Sequence, residues 1–468
     1  MSFDDGKGIE LADIGSAQKT VYIKELQEST VRADDIHNEP HPQPSSFFSS
    51  GLARARREYF SITLHAVAFT LVLMWILLSV YWAALAYPSQ LTRNLTALFI
   101  DRDNNTIGHA LWAAINDNTT PGSQLGWSRP DPTIFASDED VMQAVISEQV
   151  WLALVLETNA TDKLSAARQT GNSTFNPTSL LTVYYVGARN EIATGTYLIP
   201  IYSNLLGEVV SPLATTSAQQ YLAQIYAQGQ ANETALQLIA QAPQTISPGI
   251  SWTSVDLRPF YAPVASAVLV VGLIYQLIFT FIMVEANAAA RAPIQGHLRL
   301  SSFLRLRLAV PLLIYVPMSL TYVLVSLAFG LPMDGKFSAA GGFFVMWIYI
   351  YLGTSAFGLA LESIIILFPK LTSVSLFSLI IANISTSILP QELMPAFFRF
   401  GIAFPFLNVS QAMRTIVFNT HSYLPRNAAV LIGWIVISAL TIILCAWYPH
   451  NYKVTTTATL KTFGRRVR

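Results

Sequence analysis

The chain has little cysteine and little charge. One cysteine, Cys445, stands among 468 residues. No disulfide can form within one chain, and Cys445, inside an apolar run, reads as a small lipid- or helix-facing residue. Charged residues make up 12% of the sequence and hydrophobic ones 52%. A soluble domain carries about 25% charge, so this balance excludes an ordinary soluble protein and points to a membrane. The net charge is zero, but residues 88–258 carry about twice as many acids as bases. An acidic block of that kind excludes a nucleic-acid role.

Catalytic and metal motifs are missing too. The seven histidines are scattered, with no pair at metal-ligand spacing. No Ser-His-Asp or Cys-His constellation is present. The acids Asp138, Glu139 and Asp140 read as a solvated helix start or turn. Gly330 to Lys336 fits G-x-x-x-x-G-K, but Phe337 stands where a phosphate-binding loop needs Ser or Thr to hold magnesium. That segment reads as a tight turn. The chain is therefore expected to be no enzyme and to carry no cofactor. If it drives transport with ATP, the ATPase is a separate chain.

What is present is a set of long apolar runs. Between Phe60 and Gln90 there is no Asp, Glu, Lys or Arg. Roughly 20 apolar residues cross a bilayer core, so a transmembrane helix is expected at 60–87. It follows a polar tail, so it reads as a signal anchor rather than a cleaved signal peptide. Residues 1–59, polar and with Pro and Ser near residues 39–50, are expected to be a disordered cytosolic tail. Further uncharged stretches predict helices at 259–284, 308–331, 342–367, 371–390 and 427–448. The expected fold is an α-helical polytopic membrane protein. It has six transmembrane helices and an exported α/β insert at 88–258 between the first two.

Orientation follows from Lys and Arg beside the spans. Arg54, Arg56, Arg57, the arginines of 285–307, Lys370 and the basic tail 449–468 fall on one face, the cytosol. Both termini are then cytosolic. Asn-X-Ser/Thr acceptors support this: Asn94, Asn104, Asn118, Asn159, Asn172 and Asn232 all lie in 88–258. Two others, Asn383 and Asn408, carry less weight, because Asn383 falls within the fifth span. Within the insert, residues 95–100, 150–156 and 180–186 read as strands, 108–115 as a helix, and 190–241 as Ala/Gln-rich helix. Residues 391–426 are apolar and punctuated by Pro395 and Pro405, and are expected to form helices lying in the outer interface.

Glu362 is the ionisable group that stands inside a span, and such groups are costly and often functional. Thr354, Gly358 and Glu362 share one helix face at i, i+4 and i+8, a candidate transport path. The structural alternative is that Glu362 lies near the cytosolic end, hydrated or paired with Lys370. On either reading Glu362→Gln is expected to leave expression intact. Ser375, Ser378, Ala382 and Ser385 make a small-residue packing face on the fifth span. Residues 299–307 mix apolar and basic side chains, which suits a helix at an anionic cytosolic surface or against an ATPase.

One span, an exported insert and five further spans with a Pro-rich segment before the last make a distinctive layout. With residues 383–385, 389–399, 405–408, 411–420, 426–427 and 431–434, it resembles the fungal nitrosoguanidine-resistance membrane-protein family. Pro425 departs from the glycine expected there. That family is similar in layout to the membrane subunit of type-2 ABC exporters and to bacterial phage-infection-protein homologues. The resemblance implies a plasma-membrane protein, an exporter of toxic small molecules or lipids, a homodimer, and membrane lipids as partners. It supplies no catalytic residues. Two alternatives stay open: a non-transporting organiser of membrane lipids or proteins, and a surface receptor using the glycosylated block.

Overall fold

The computed structural model describes residues 46–117, 124–227 and 233–465, with side chains to residue 447. The expected disordered tail lies outside them over residues 1–45, as do the acceptors Asn118 and Asn232. The chain divides into two compact units, residues 1–73 and 74–468.

In the first unit a short 3-10 turn, Ser50–Leu52, leads into helix α1, Ala53–Leu85. This corrects the expectation of a disordered tail over residues 50–59, which are helical, with Arg54, Arg56 and Arg57 in the first turns of α1. Phe47 packs edge-on against Tyr59 and Phe60, and Arg56 donates to the Phe47 carbonyl. The apolar side chains of α1 are largely exposed, Trp75 by 78%.

The second unit begins in the last part of α1, where Val80, Ala84 and Leu85 join the core of a sheet. After α1 come β1 (Thr96–Asp101), α2 (Thr106–Asn116), β2 (Gly126–Ser128), α3 (Asp138–Ile146), β3 (Leu152–Leu156), α4 (Ala160–Thr170), β4 (Leu181–Tyr185), α5 (Ile199–Ala227), α6 (Glu233–Gln241) and β5 (Trp252–Asp256). The strand order is β2-β1-β3-β4-β5, and every neighbouring pair is parallel except β3–β4. β3 is buried at all five positions. Its run of Leu, Ala and Val suits a strand covered on both faces. Ile107 and Leu111 of α2, Leu164 of α4 and Leu206 of α5 cover one face. Val141 and Val145 of α3 cover the other. The acids Asp138, Glu139 and Asp140 form the first turn of α3, where Ser137 and Asp140 make a capping box.

The remainder is helical: α7 (Gly272–Arg291), α8 (Leu300–Ala328), α9 (Ala339–Leu367), α10 (Thr372–Ile384), α11 (Pro405–Phe418) and α12 (Leu424–Arg465). A π-helical turn, Ala267–Val271, precedes α7. Among the described residues five helices are long and apolar enough to cross a membrane: Ser50–Gln90, Val264–Arg291, Leu300–Ala328, Ala339–Leu367 and Leu424–Trp447. α9 is the innermost, with Gly353, Ala356, Gly358 and Ala360 buried along it. Small residues let neighbouring helices approach closely. A Cβ at Gly353 would lie 2.7 Å from Val409 of α11.

Three further expectations need correction. The span expected at 371–390 is the helix α10 of 13 residues. At 1.5 Å per residue it is about 20 Å long, short of a ~30 Å core. Its end coincides with a run of three hydroxyl residues. Ser385, Thr386 and Ser387 donate their hydroxyls back to the carbonyls of Ile381, Asn383 and Asn383. These bonds compete with the backbone ladder, and Pro390 then has no N–H to continue it. The chain still reaches the sheet, because Asn190 Nδ2 donates to the Ile388 carbonyl at 3.0 Å.

The loop expected at 285–307 is shorter than the sequence suggests. α7 continues to Arg291 and α8 starts at Leu300, so Arg305 and Arg307 lie within the α8 helix. The helices expected to lie in an interface at 391–426 are instead largely internal. α11 has twelve of its fourteen residues buried. Leu393, Met394 and Phe398 enter the core of the sheet.

Candidate functional site

The sequence-selected residues Thr354, Gly358 and Glu362 stand together on α9, where α7 and α8 close over it. At the top of this seam Gln276 of α7 donates Nε2–H to Thr354 Oγ1 at 2.8 Å. Thr354 passes its own hydroxyl hydrogen to the Ile350 carbonyl at 2.7 Å. One turn on, Gly358 faces Tyr315 of α8. A Cβ at Gly358 would meet Tyr315 Oη at 2.0 Å, so only glycine fits.

One further turn on, Glu362 Oε1 accepts from Arg291 Nη2 and from Arg307 Nε, both at 2.7 Å. Arg291 ends α7 and Arg307 lies in the first turns of α8. One carboxylate therefore ties three helices. Its partner is not Lys370. Arg291 Nε and Nη1 and the neighbouring Asn287 Nδ2 are buried without a protein partner. The space between Met283, Asn287, Pro311, Tyr315 and Glu362 leaves no room for a water molecule. The candidate path is thus a filled seam, ending in an ion triad with one excess positive charge.

An open space lies beside it. α7, the π-helical turn and α8 border a groove of ≈960 Å³. Val264, Val271, Tyr275, Phe279, Ile314 and Val325 are among the apolar residues of its walls. Tyr322 crosses it to donate to the Val268 carbonyl at 2.7 Å. A π-helical turn displaces the backbone register, and such turns recur at functional sites. Gly272 leaves room for Tyr322, whose Oη would stand 2.2 Å from a Cβ there. The groove is a lipid-like environment with one polar crossing, suited to an apolar or amphipathic chain. Hydropathy could not reveal it, since lipid-facing and groove-facing residues look alike.

The four described acceptors of the 88–258 block, Asn94, Asn104, Asn159 and Asn172, are all exposed. Thr174 donates both its N–H and its hydroxyl to Asn172 Oδ1, closing a turn around the acceptor. Asn383 and Asn408 are buried. Asn383 Oδ1 accepts from the Phe406 N–H, and Asn408 Nδ2 donates to the carbonyls of Ile402 and Phe404. Among the described residues no group of three His, Cys, Asp or Glu could hold a metal ion.

A family model described as "Protein of unknown function (DUF3533)" matches residues 66–440. The chain belongs to this family. It is also 23% identical over 431 residues to an uncharacterized endoplasmic reticulum membrane protein of Saccharomyces cerevisiae, covering 85% of this chain and 82% of the relative. No solved structure matches. The DUF3533 chain is a multi-pass membrane protein. Neither description names nitrosoguanidine resistance or an ABC exporter, so the resemblance holds at the level of a membrane-protein family.

Proposed function

We propose that this protein is permease-like: it takes amphipathic molecules, toxic small molecules or lipids, from the bilayer and exports them or helps export them. The observation that carries this reading is the ≈960 Å³ groove between α7 and α8, apolar along its walls and bridged by Tyr322. In the proposed topology the chain passes six times; because α10 alone is too short for the fifth pass, the buried residues Ser385, Thr386 and Ser387 that follow it complete the crossing, shielded by protein. The sheet domain, with its exposed acceptors, lies on the exported side, and both termini are cytosolic. A homodimer completes the unit. The relative's name supports the endoplasmic reticulum as the membrane, in place of the plasma membrane that the resemblance implies.

The test is flux. Vesicles carrying the purified protein, with a fluorescent amphipath added, should lose it faster than empty vesicles. Filling the groove with Val271→Trp and Val325→Trp should abolish the difference. Equal retention with and without the protein, under a proton gradient and with any co-purifying ATPase added, overturns the reading.

A second reading is favoured by the Arg291–Glu362–Arg307 triad. A carboxylate held by two guanidiniums is poorly placed to carry protons. A rigid seam suits a non-transporting organiser of lipids or of other membrane proteins. Co-purification of membrane partners in the absence of any flux would select it.

A further inference from the structure

A second cavity, of ≈610 Å³, lies where the sheet domain meets the segment between α10 and α12. We infer that it is a binding site for a phosphate ester, held by Arg93, Arg399 and Arg426.

The argument is a charge count. Five arginines line the cavity (Arg93, Arg189, Arg399, Arg414 and Arg426) against two carboxylates, Glu148 and Glu392. Both carboxylates belong to one arginine. Arg189 Nε stands 3.5 Å from Glu148 Oε2, and its Nη2 stands 3.0 Å from Glu392 Oε1. The same guanidinium lies 3.8 Å over the Trp151 ring, and Trp151 Nε1 donates to Glu392 Oε1 at 3.2 Å. Arg414 is paired with Glu191 and donates to the Ala188 carbonyl. The acids near the cavity are thereby spent.

Three guanidiniums remain with no carboxylate partner among the described residues. Arg93 donates to Gln124 Oε1, a neutral acceptor. Arg426 donates to Gln411 Oε1 at 2.7 Å and stacks 4.0 Å over the Tyr423 ring. These contacts hold the Arg426 fork in place, while its buried Nε–H has no acceptor. Arg399 is exposed at the cavity edge. Uncompensated guanidiniums converging on one space attract an oxyanion. The planar fork matches phosphate with paired hydrogen bonds. His421, Ser410 and Thr420 add further polar groups.

The cavity is larger than a bare phosphate needs and falls in the size range of small-molecule sites. Leu389, Met394, Ile402 and Leu407 supply an apolar wall. The ligand is thus a phosphate carrying an organic group. It lies beside the first residues of α12 and the stretch after α10, at the ends of membrane helices. A phospholipid headgroup and a soluble phosphomonoester share this chemistry. The inference stands apart from export, because flux can be absent while the site binds.

The test uses the full-length protein in phosphate-free maltoside detergent, stripped of phospholipid, with glycerol 3-phosphate as the soluble probe and added phosphatidic acid as the lipid probe. Saturable, salt-sensitive binding of either is expected. Binding of both marks a phosphate-ester site open to water and bilayer. Binding of phosphatidic acid alone marks a lipid headgroup site, and binding of glycerol 3-phosphate alone a soluble-ligand site. Arg426→Gln should weaken binding about tenfold, or about 1.4 kcal/mol. Arg399→Gln should do the same, and its exposed side chain leaves folding untouched. Arg399→Lys should restore part of the affinity. No binding of either probe, or binding unchanged in Arg399→Gln and Arg426→Gln, overturns the site.

Discussion

Arg291 and Glu362 meet at 2.7 Å between the end of α7 and the inner helix α9, and only 4% of either side chain is exposed. Removing the carboxylate strands Arg291 and leaves Arg307 without its partner. Breaking a buried pair from one side costs about 3–5 kcal/mol, because the remaining charge is desolvated and unpaired. Glu362→Gln is therefore expected to lower the melting temperature sharply and to reduce the folded yield. This replaces the sequence-based expectation of intact expression. Arg291→Gln added to Glu362→Gln should recover part of the loss. A Glu362→Gln protein as stable as the parent would show that the triad does not hold the helices.

Gly358 sets a steric limit one turn away. A Cβ there would stand 2.0 Å from Tyr315 Oη and 2.3 Å from Cζ. The ring is fully buried, so it has little room to move. Overpacking costs about 1–3 kcal/mol, and more where nothing yields. Gly358→Ala should destabilise by at least that amount in thermal melts. Tyr315→Leu, which removes the ring, should make Gly358→Ala tolerable, whereas Tyr315→Phe should not, since Cζ remains. Equal penalties in all three backgrounds would break the link between the two positions.

Glycosylation can separate the two sets of acceptors. Asn94, Asn104, Asn159 and Asn172 are exposed, whereas Asn383 and Asn408 are buried and hydrogen-bonded. With the sheet domain exported, endoglycosidase should shift the protein's mass. Single Asn→Gln changes at the four exposed positions should each reduce that shift. Changes at Asn383 and Asn408 should not. An unshifted parent protein would reverse the proposed orientation.

Several of these features were legible in the sequence because they depend on local pattern. The uncharged run after Phe60 needs only length to be read as a span. Residues 95–100, 150–156 and 180–186 coincide with β1, β3 and β4 because each is a short, dense apolar run. β2 is three residues long and β5 is Trp-Thr-Ser-Val-Asp, so neither carries such a run. Glu362 was conspicuous as a charge in a span, yet its partners lie 71 and 55 residues away. Nothing local marks that pairing. The cavity arginines are more scattered still, from Arg93 to Arg426, and only folding brings them together. α10 misled for a different reason. Hydropathy counts Ser385, Thr386 and Ser387 as mild interruptions and does not register that the regular helix stops where these three successive hydroxyls bond back to the chain.

Glu148 gives a pH dependence with a definite sign. Burial raises its carboxyl above the usual 4.5, against the opposing pull of Arg189 and His421 and with a further push from Glu392. Tyr423 Oη also donates to it, at 3.4 Å. A carboxyl raised in the folded state binds its proton more tightly there than in the unfolded chain. Its contribution to stability is fully present below about 4.5 and is lost as pH rises through the folded value. Once ionised, the buried Glu148 is a cost. Glu148→Gln mimics the protonated form, and Arg189 keeps Glu392 as a partner. The variant should therefore melt above the parent at pH 7.5, and the gap should close as pH falls through the raised folded value. Melting curves of parent and variant that run parallel across that range would show that Glu148 does not set the dependence. A variant less stable than the parent at pH 7.5 would show that its ion pair with Arg189 outweighs its burial.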